Sequence, residues 1–502
     1  MTTLDSLRRT AASRAGWRDW GALVVLSAAV FLVSMDATVL DIAVPHMTQA
    51  LDPSATQLLW IVDVYSFVLA ALLITAGNLG DRIGRRRILL IGAVGFAAAS
   101  LIAGMSVSPE MLIAARVVQG IAGATLMPAT LALIRSTFAD ATQRTLAIGV
   151  WSAMAAGGAA AGPVIGGWLL EHFFWGSVFV VNVPVAALIV ALGPVLVRES
   201  RDPAPGRLDP ASVALSVLAL LPLIYAIKET AAHGFSWIDS VAAVAGVVAG
   251  FAFVRRQRQL AVPLIDVGLF GRPAFTVAVL TNLIAVFAVA GLLYFGSQYL
   301  QVVHGFGALQ SGLVILPAMF ANGAAALAAA PLQRRFSVRT VLLGALFLQV
   351  AGAVAMVGVG GGVAAFVVAE TLIGVGAGAV LTVTSALVLS AVPEDRAGAA
   401  SAVTETAYEA GHALGVAILG SVATAVFRAG VDLRDLPAEL AERARETIGA
   451  AMQVGAGLGG GAGARVMSTA TESFVSGMHV AAGLSGAASL LCALLAMRLL
   501  KK

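Results

Sequence analysis

The chain places Asp36, Asp63, Arg116, Glu370, Glu405, Glu409 and His412 within long apolar stretches, where a charge is out of place. In hydrocarbon each such group costs about 2.5–3.5 kcal/mol or more unless it is paired, protonated or turned to a wet cavity. Their natural chemistry is proton exchange or cation binding. Along its helix, Asp63 lies about 9 Å inside one membrane surface, Arg116 roughly 10 Å and Asp36 about 13 Å, so the three share one level. Desolvation favours the protonated acid while a nearby guanidinium favours the carboxylate. Asp36 modulated by Arg116 is therefore a proton-coupling candidate; a permanent structural ion pair is the other reading. Asp63 shares a helical stripe with Trp60 and Phe67, a pattern suited to binding a cation against aromatic faces, or to a satisfied polar residue near the surface. Glu405, Glu409 and His412 also share one face, and two acids one turn apart repel, so one stays protonated. Glu405 is then a second proton-coupling candidate and Glu409 a counter-charge for a cationic substrate. Tyr294, Phe295, Tyr408 and Trp151 are candidates to line a cavity.

These residues must be held by membrane helices. Of 502 residues, 59% are hydrophobic and 12% charged, with mean hydropathy +0.93; soluble domains carry about twice that charged fraction. Apolar stretches long enough to span, roughly 20 residues, are expected near 19–45, 57–77, 88–106, 111–133, 145–170, 176–197, 210–230, 238–254, 273–299, 310–330, 338–358, 363–389, 398–427 and 473–498. Every second connection is basic: Arg8, Arg9, Arg14 and Arg18 first, then the groups around Arg82–Arg87, Arg135–Arg144, Arg198–Arg207, Arg255–Arg272, Arg334–Arg339, Arg396, and Arg498 with Lys501 and Lys502. By the positive-inside tendency, both termini are expected in the cytoplasm. The Gly-rich segment 428–472 is the exported exception; Leu436–Glu446 within it reads as a short amphipathic helix that either covers the outer mouth or, the favoured reading, belongs to a solvated surface loop.

Several functions are excluded. The only lysines are Lys228, Lys501 and Lys502; none has the Gly-Lys-Ser/Thr context of a phosphate-binding loop, which excludes an ATPase of that kind on this chain. The single cysteine, Cys492, rules out an intrachain disulfide and a Cys-rich metal site. No metal, cofactor or nucleic-acid site is expected, and no nucleophile–base pair marks an enzyme. The first apolar segment is too long for a cleaved leader and is expected to remain as span 1.

The second part of the chain repeats the first at nearly one offset. Arg116-Val-Val-Gln119-Gly120 matches Glu370-Thr-Leu-Ile-Gly374, Gly158-x-x-x-Gly162 matches Gly411-x-x-x-Gly415, and the basic connection Arg82–Arg87 matches Arg334–Arg339. This predicts a six-helix bundle over 1–197, two inserted helices within 198–272, and a second bundle over 273–502 that carries the loop 428–472. Parallel six-helix repeats imply alternating access to a site between them. The inserted helices hold Lys228 and Glu229 near one end and are expected to be a fixed platform.

The connection Gly77-Asn-Leu-Gly80-Asp81-Arg82-Ile-Gly84-Arg85-Arg86-Arg87 resembles the signature loop of the major facilitator superfamily. Arg116-x-x-Gln119-Gly120 is similar to that family's fourth-helix motif, and Gly158-x-x-x-Gly162-Pro163-x-x-Gly166-Gly167 to the fifth-helix motif of its antiporters. Met35-Asp36-Ala-Thr38-Val-Leu-Asp41-Ile-Ala-Val-Pro45 resembles the first-helix motif of the fourteen-helix drug:proton antiporters, with Asp41 where Asn is more usual. Trp60-Ile-Val-Asp63-Val-Tyr65 and Glu405-Thr-Ala-Tyr408-Glu409 are similar to the quaternary-ammonium and multidrug exporter branch. In the second half, Gln333-Arg334-Arg335-Phe336 lacks the acid and glycines of the signature.

The resemblance implies an all-α polytopic membrane protein with two six-helix bundles, two inserted helices and no cofactor. It implies a multi-pass protein of the cell membrane, acting as a monomer with protons and small organic cations as partners. The expected activity is export of lipophilic cations such as quaternary ammonium compounds and dyes, with fluoroquinolones as a further class, driven by the proton gradient. Export of an endogenous lipid, peptide or siderophore is the alternative. Gly77, Gly80, Asp81, Arg82, Gly84 and Arg85 are expected to gate conformation. So are Gly158, Gly162, Pro163, Gly166 and Gly167, as a hinge or seal.

Overall fold

The computed structural model describes residues 15–201, 209–260, 263–358, 362–392, 397–434 and 436–500. Arg8, Arg9, Arg14, Arg207, Arg396, Lys501 and Lys502 of the basic pattern lie outside them. Among the described residues there is no strand, and 14 helices are long and apolar enough to cross a membrane.

In order, spans 1–6 are Trp17–Leu51, Ala55–Ile83, Arg85–Gly104, Pro109–Thr137, Ala141–His172 and Ser177–Leu196. Spans 7 and 8 are Pro210–His233 and Trp237–Gln259. Spans 9–14 are Pro273–Val303, Ala308–Leu332, Val338–Val357, Val363–Ser390, Ala397–Gly430 and Gly460–Leu499. Local chemistry sets many of the boundaries. Ser54, Ser108, Asp140, Ser236 and Ser337 each accept a backbone N–H at a helix start, satisfying donors the helix itself cannot. Span 2 ends at Gly84, whose φ of +116° suits a residue without Cβ and lets span 3 begin at once.

Spans 1–6 pack among themselves, chiefly 1 on 5, 2 on 4 and 3 on 4, and spans 9–14 pack likewise, 9 on 13, 10 on 12 and 11 on 12. Spans 7 and 8 pack on each other, and span 7 rests on spans 2 and 13. Matched glycines do matched work in the two sets. Gly158 lies against the Phe31 carbonyl of span 1, and Gly411 against the Leu283 carbonyl of span 9; Gly162 meets Met35 and Thr38, and Gly415 meets Phe287. Gly120 likewise abuts the Tyr65 carbonyl and Gly374 the Ala318 carbonyl. Small residues are needed there because backbones touch backbones, and without water that close approach is what holds helices together.

The two sets meet mainly at the face opposite the basic connections. There the Ser297 hydroxyl donates to the Asp41 carbonyl, the Gln301 amide to the Ile42 carbonyl, and the Leu309 N–H to Glu171. Pro163 and Gly167 of span 5 abut Gly312 and Leu309 of span 10. The fifth-helix motif is thus shared: Gly158, Gly162 and Gly166 serve the contact with span 1, and Pro163 and Gly167 serve the contact across the junction.

The segment after span 13 departs from the expected solvated loop. Helices Ala438–Glu446 and Ile448–Leu458 bury Ala441, Ala444, Ile448, Ala451 and Val454 in one cluster with Val466, Ala470 and Phe474 of span 14. Span 14 begins at Gly460 rather than near 473 and has 40 residues. At 1.5 Å per residue that is about 60 Å, twice the hydrocarbon thickness. Its first turns therefore stand above the membrane as a wall for the two short helices. Glu446 accepts from the Ala55 N–H at the start of span 2 and from Arg428, and Arg443 pairs with Asp52 at 3.0 Å. The Ala/Gly composition that reads as loop is what lets these helices pack closely.

Gly162→Val should lower the apparent Tm clearly, because overpacking a tight contact costs about 1–3 kcal/mol. Gly157→Val, with nothing within 4 Å of an added Cβ, should leave it unchanged. Thermal unfolding of the two purified variants compares them directly; equal melting points would refute the close-contact reading.

Candidate functional site

Asp36 and Arg116 form an ion pair of 2.6 Å between spans 1 and 4, with side chains 0% and 1% exposed. The pair is fully dressed. Asp36 accepts from the Asn182 amide at 2.7 Å and the Gln119 amide at 3.4 Å, and both amides also donate to Ser100. Arg116 donates to Gln119 and to the Ile61 carbonyl and lies 4.5 Å from the Tyr65 ring centroid. Desolvated charges survive in this setting because each has a partner and further hydrogen bonds. Spans 1, 2, 3, 4 and 6 all contribute, so the motif Arg116-x-x-Gln119 is the core of a polar knot. Asn182 and Ser100 carry no motif and were not visible in sequence. They are ordinary polar residues until folding brings them to Asp36.

Asp63 is also paired, with a partner that sequence reading left as platform. The Lys228 ammonium of span 7 donates to Asp63 Oδ1 at 2.7 Å, both side chains being 0% exposed. It stands 3.9 Å from the centroid of Trp60 and 5.9 Å from that of Phe67. The stripe Trp60–Asp63–Phe67 therefore does face a cation, and the cation is part of the chain. Only the rarity of lysine, three in 502 residues, could have drawn attention to Lys228.

Between the two sets lies a cavity of about 150 Å³. Thr38 of span 1 and Ala156, Ala159 and Ala160 of span 5 form one side. Spans 9, 10, 12 and 13 supply the other, including Asn322, Glu370, Tyr408 and His412. In this conformation it is smaller than a typical ligand pocket of about 300–1,000 Å³. Glu370 is 5% exposed and its Oε1 has no hydrogen-bond partner. This is the repeat position of Arg116, but the second set places there an acid without a guanidinium beside it. His412 Nδ1 lies 3.2 Å from the Ser66 hydroxyl of span 2, joining the cavity wall to the turn after Asp63.

The remaining candidates are distributed as follows. Tyr408 lines the cavity; Glu409, one residue on, is buried, and Glu405 is partly exposed one turn towards the start of span 13. Tyr294 and Phe295 line a separate small pocket of about 30 Å³ with Leu58, Gln298, Phe427 and Phe474, beneath Glu446 and Ile448. Trp151 donates its indole N–H to Thr130 at 3.1 Å within spans 4 and 5.

In the signature loop, Asp81 pairs with Arg85 at 2.7 Å. The clasp comes from the end of span 6. Glu199 accepts the Arg86 N–H, the Ser200 carbonyl accepts the Arg85 N–H, and a Cβ at Gly84 would lie 2.7 Å from the Glu199 carboxylate. Gly77 and Gly80 keep room for Pro128 and Ile88, and Arg82 is exposed. Glu199 was hidden because its neighbours read only as a basic connection.

Breaking a buried pair by removing one partner is expected to cost about 3–5 kcal/mol. Arg116→Met alone should therefore depress the apparent Tm strongly, and Asp36→Leu added to it should recover a large part. A melting series of the two singles and the double would contradict this arrangement if the double fell as far as the sum of the singles.

Residues 26–416 match the family model of the Major Facilitator Superfamily. The chain is 43% identical to the multidrug efflux pump LfrA of Mycolicibacterium smegmatis, over 93% of each chain. It is 34% identical to the methyl viologen resistance protein SmvA of Salmonella typhimurium, over 95% of this chain and 97% of that one. The same fold is seen in a bacterial homologue of the human lysosomal transporter Spinster, crystallised inward-facing and unoccupied. Its TM-score is 0.66 at 19% identity, covering 98% of this chain and 99% of that one. With its fourteen spans and this match over most of its length, the chain belongs to the major facilitator superfamily: it is a multi-pass transporter of the cell membrane, not an enzyme, and its relatives include multidrug efflux pumps.

Proposed function

We propose that this transporter exports lipophilic organic cations, quaternary ammonium compounds and planar dyes first and fluoroquinolones as a further class, in exchange for protons. The observation that carries the reading is the cavity between the two sets with the buried Glu370 Oε1, which accepts no hydrogen bond, in its wall. An acid in that position is tolerable when protonated or when a cation lies against it, and exchange between these two states is the coupling an antiporter needs. Glu409 and Tyr408 extend the cation-binding wall, with Glu405 as its proton-coupled neighbour. The names of relatives that confer methyl viologen resistance or multidrug efflux agree with cationic and varied substrates.

Asp36 is the second proton-coupling acid in this scheme. Protonating it would remove the charge that holds Arg116, Gln119 and Asn182, loosening spans 1, 4 and 6 together. Thr38, two residues further along span 1, lines the cavity and bonds the Ala159 carbonyl of span 5. Span 1 would thus carry the change from the polar knot to the cavity wall.

The hydrogen bonds joining the two sets at the face opposite the basic connections support reading this conformation as closed to the outside. The Gly77–Arg85 clasp and the span 5 glycines are then the parts that rearrange as the halves rock. The bundles correspond to 1–197 and 273–502, with 198–272 inserted, and the unit acts as a monomer with both termini in the cytoplasm.

In inverted vesicles acidified inside by respiration, ethidium should accumulate, and collapsing the gradient should release it. Asp36→Asn and Glu370→Gln should each reduce accumulation at least tenfold while protein levels hold. Accumulation indifferent to the gradient would remove the coupling. Failure to move any organic cation would leave export of an endogenous lipid, peptide or siderophore.

A further inference from the structure

Lys228 is an unusual residue to bury. A lysine at membrane depth needs a partner, and this one comes from span 7, outside both six-helix sets, to reach Asp63 on span 2. Its surroundings are those of a receptor for an alkylammonium. One carboxylate oxygen lies 2.7 Å away, the Trp60 ring 3.9 Å and the Phe67 ring 5.9 Å. Ile224, Ala413 and Ala417 close the apolar sides. A carboxylate among aromatic faces is how proteins recognise ammonium cations that cannot be satisfied by water. The second carboxylate oxygen, Asp63 Oδ2, is buried without a hydrogen-bond partner. A purely structural pair would be expected to satisfy both oxygens; here one of them is left without a hydrogen bond.

Its position also suits exchange. Ser66, one turn beyond Asp63, meets His412, which lines the central cavity. Span 13 passes the site as a turn of π-helix, Gly415–Leu419, a local widening that frequently marks functional positions. Span 7 carries Pro222 within its helix, six residues before Lys228, and a proline there removes a backbone bond and permits a bend. Span 8, behind it, presents Val244, Val247, Val248 and Phe251 outward rather than against other spans. Span 7 packs on span 8 and on spans 2 and 13, and the pair stands outside both six-helix sets.

From these observations we infer that Trp60, Asp63 and Phe67 form a cation-recognition site and that Lys228 is its tethered resident, displaced when a lipophilic cation binds. The inference rests on the proposed cation export and extends it. It gives the inserted helices a role: they carry an internal competitor that keeps the acid neutralised when no substrate is present. A substrate must then outbid a covalently tethered ammonium, which favours cations with large apolar, aromatic-compatible bodies over small hydrated ones. After the substrate leaves, Lys228 returns to Asp63 and the site is again without net charge.

The scarcity of lysine makes the test direct, since Lys228 is the only one besides Lys501 and Lys502. Wild-type protein in lipid nanodiscs is treated with a membrane-permeable acylating reagent, with and without ethidium at a concentration shown by fluorescence to saturate. Peptide mass spectrometry then reads acylation at each lysine. Ethidium should speed acylation of Lys228 about tenfold or more, as expected if its displaced state becomes dominant, with Lys501 and Lys502 unchanged as internal references. Bound ethidium that leaves Lys228 as protected as before overturns the tethered-cation assignment and leaves cation export standing. Absence of ethidium binding to the wild type overturns both. A second measurement uses variants that pass a melting-point check. Lys228→Met should tighten ethidium binding about tenfold by removing the competitor, and Asp63→Asn on that background should abolish the gain. Unchanged affinity in folded Lys228→Met, or a gain that survives Asp63→Asn, also overturns the assignment.

Discussion

A charge held inside a hydrocarbon slab must find an opposite charge, a proton or a wet surface, and this constraint organises the whole interior of the transporter. The chain uses different solutions at different acids. Asp36 receives a guanidinium and two amides from within spans 1–6. Asp63 receives an ammonium from span 7. Glu370 keeps Oε1 without a hydrogen bond and turns to the cavity. The first arrangement is the most fully bonded, and the last leaves most room for a guest. The three acids thus run from fully bonded to partly unbonded within one fold.

The repeat explains how such asymmetry arises from similar halves. Glycines at matched positions let span 5 lie on span 1 and span 13 on span 9 with backbone against backbone, so the frames correspond. Chemistry is then placed on equivalent frames with different residues. Arg116 in one half becomes Glu370 in the other, one sealed by Asp36 and the other facing the cavity. The contacts between the sets use the same small-residue logic where Pro163 and Gly167 meet span 10, supplemented by few hydrogen bonds. An interface of that kind holds a conformation without locking it.

Spans 7 and 8 and the segment after span 13 sit outside the repeat, yet span 7 and that segment both pack against it. Span 7 reaches Asp63. Helices Ala438–Glu446 and Ile448–Leu458 cover the smaller pocket beside Tyr294 and Phe295, and Glu446 ties them to the start of span 2.

Sequence alone determined the span count, the repeat and the identity of most buried acids, because hydrophobic length and a misplaced charge are local properties that need no coordinates to be seen. It also placed Arg116 at the level of Asp36, since depth follows from position along a helix. It could not pair residues across helices. Asn182, Ser100, Glu199 and Lys228 look unremarkable in their own segments and acquire meaning only when another span lies beside them. It likewise read the Gly-rich stretch before span 14 as loop, because glycine and alanine are ambiguous until a neighbouring surface rewards close packing. Rotation about a helix axis and choice of partner are decided by packing between spans, and only the tertiary structure carries that information.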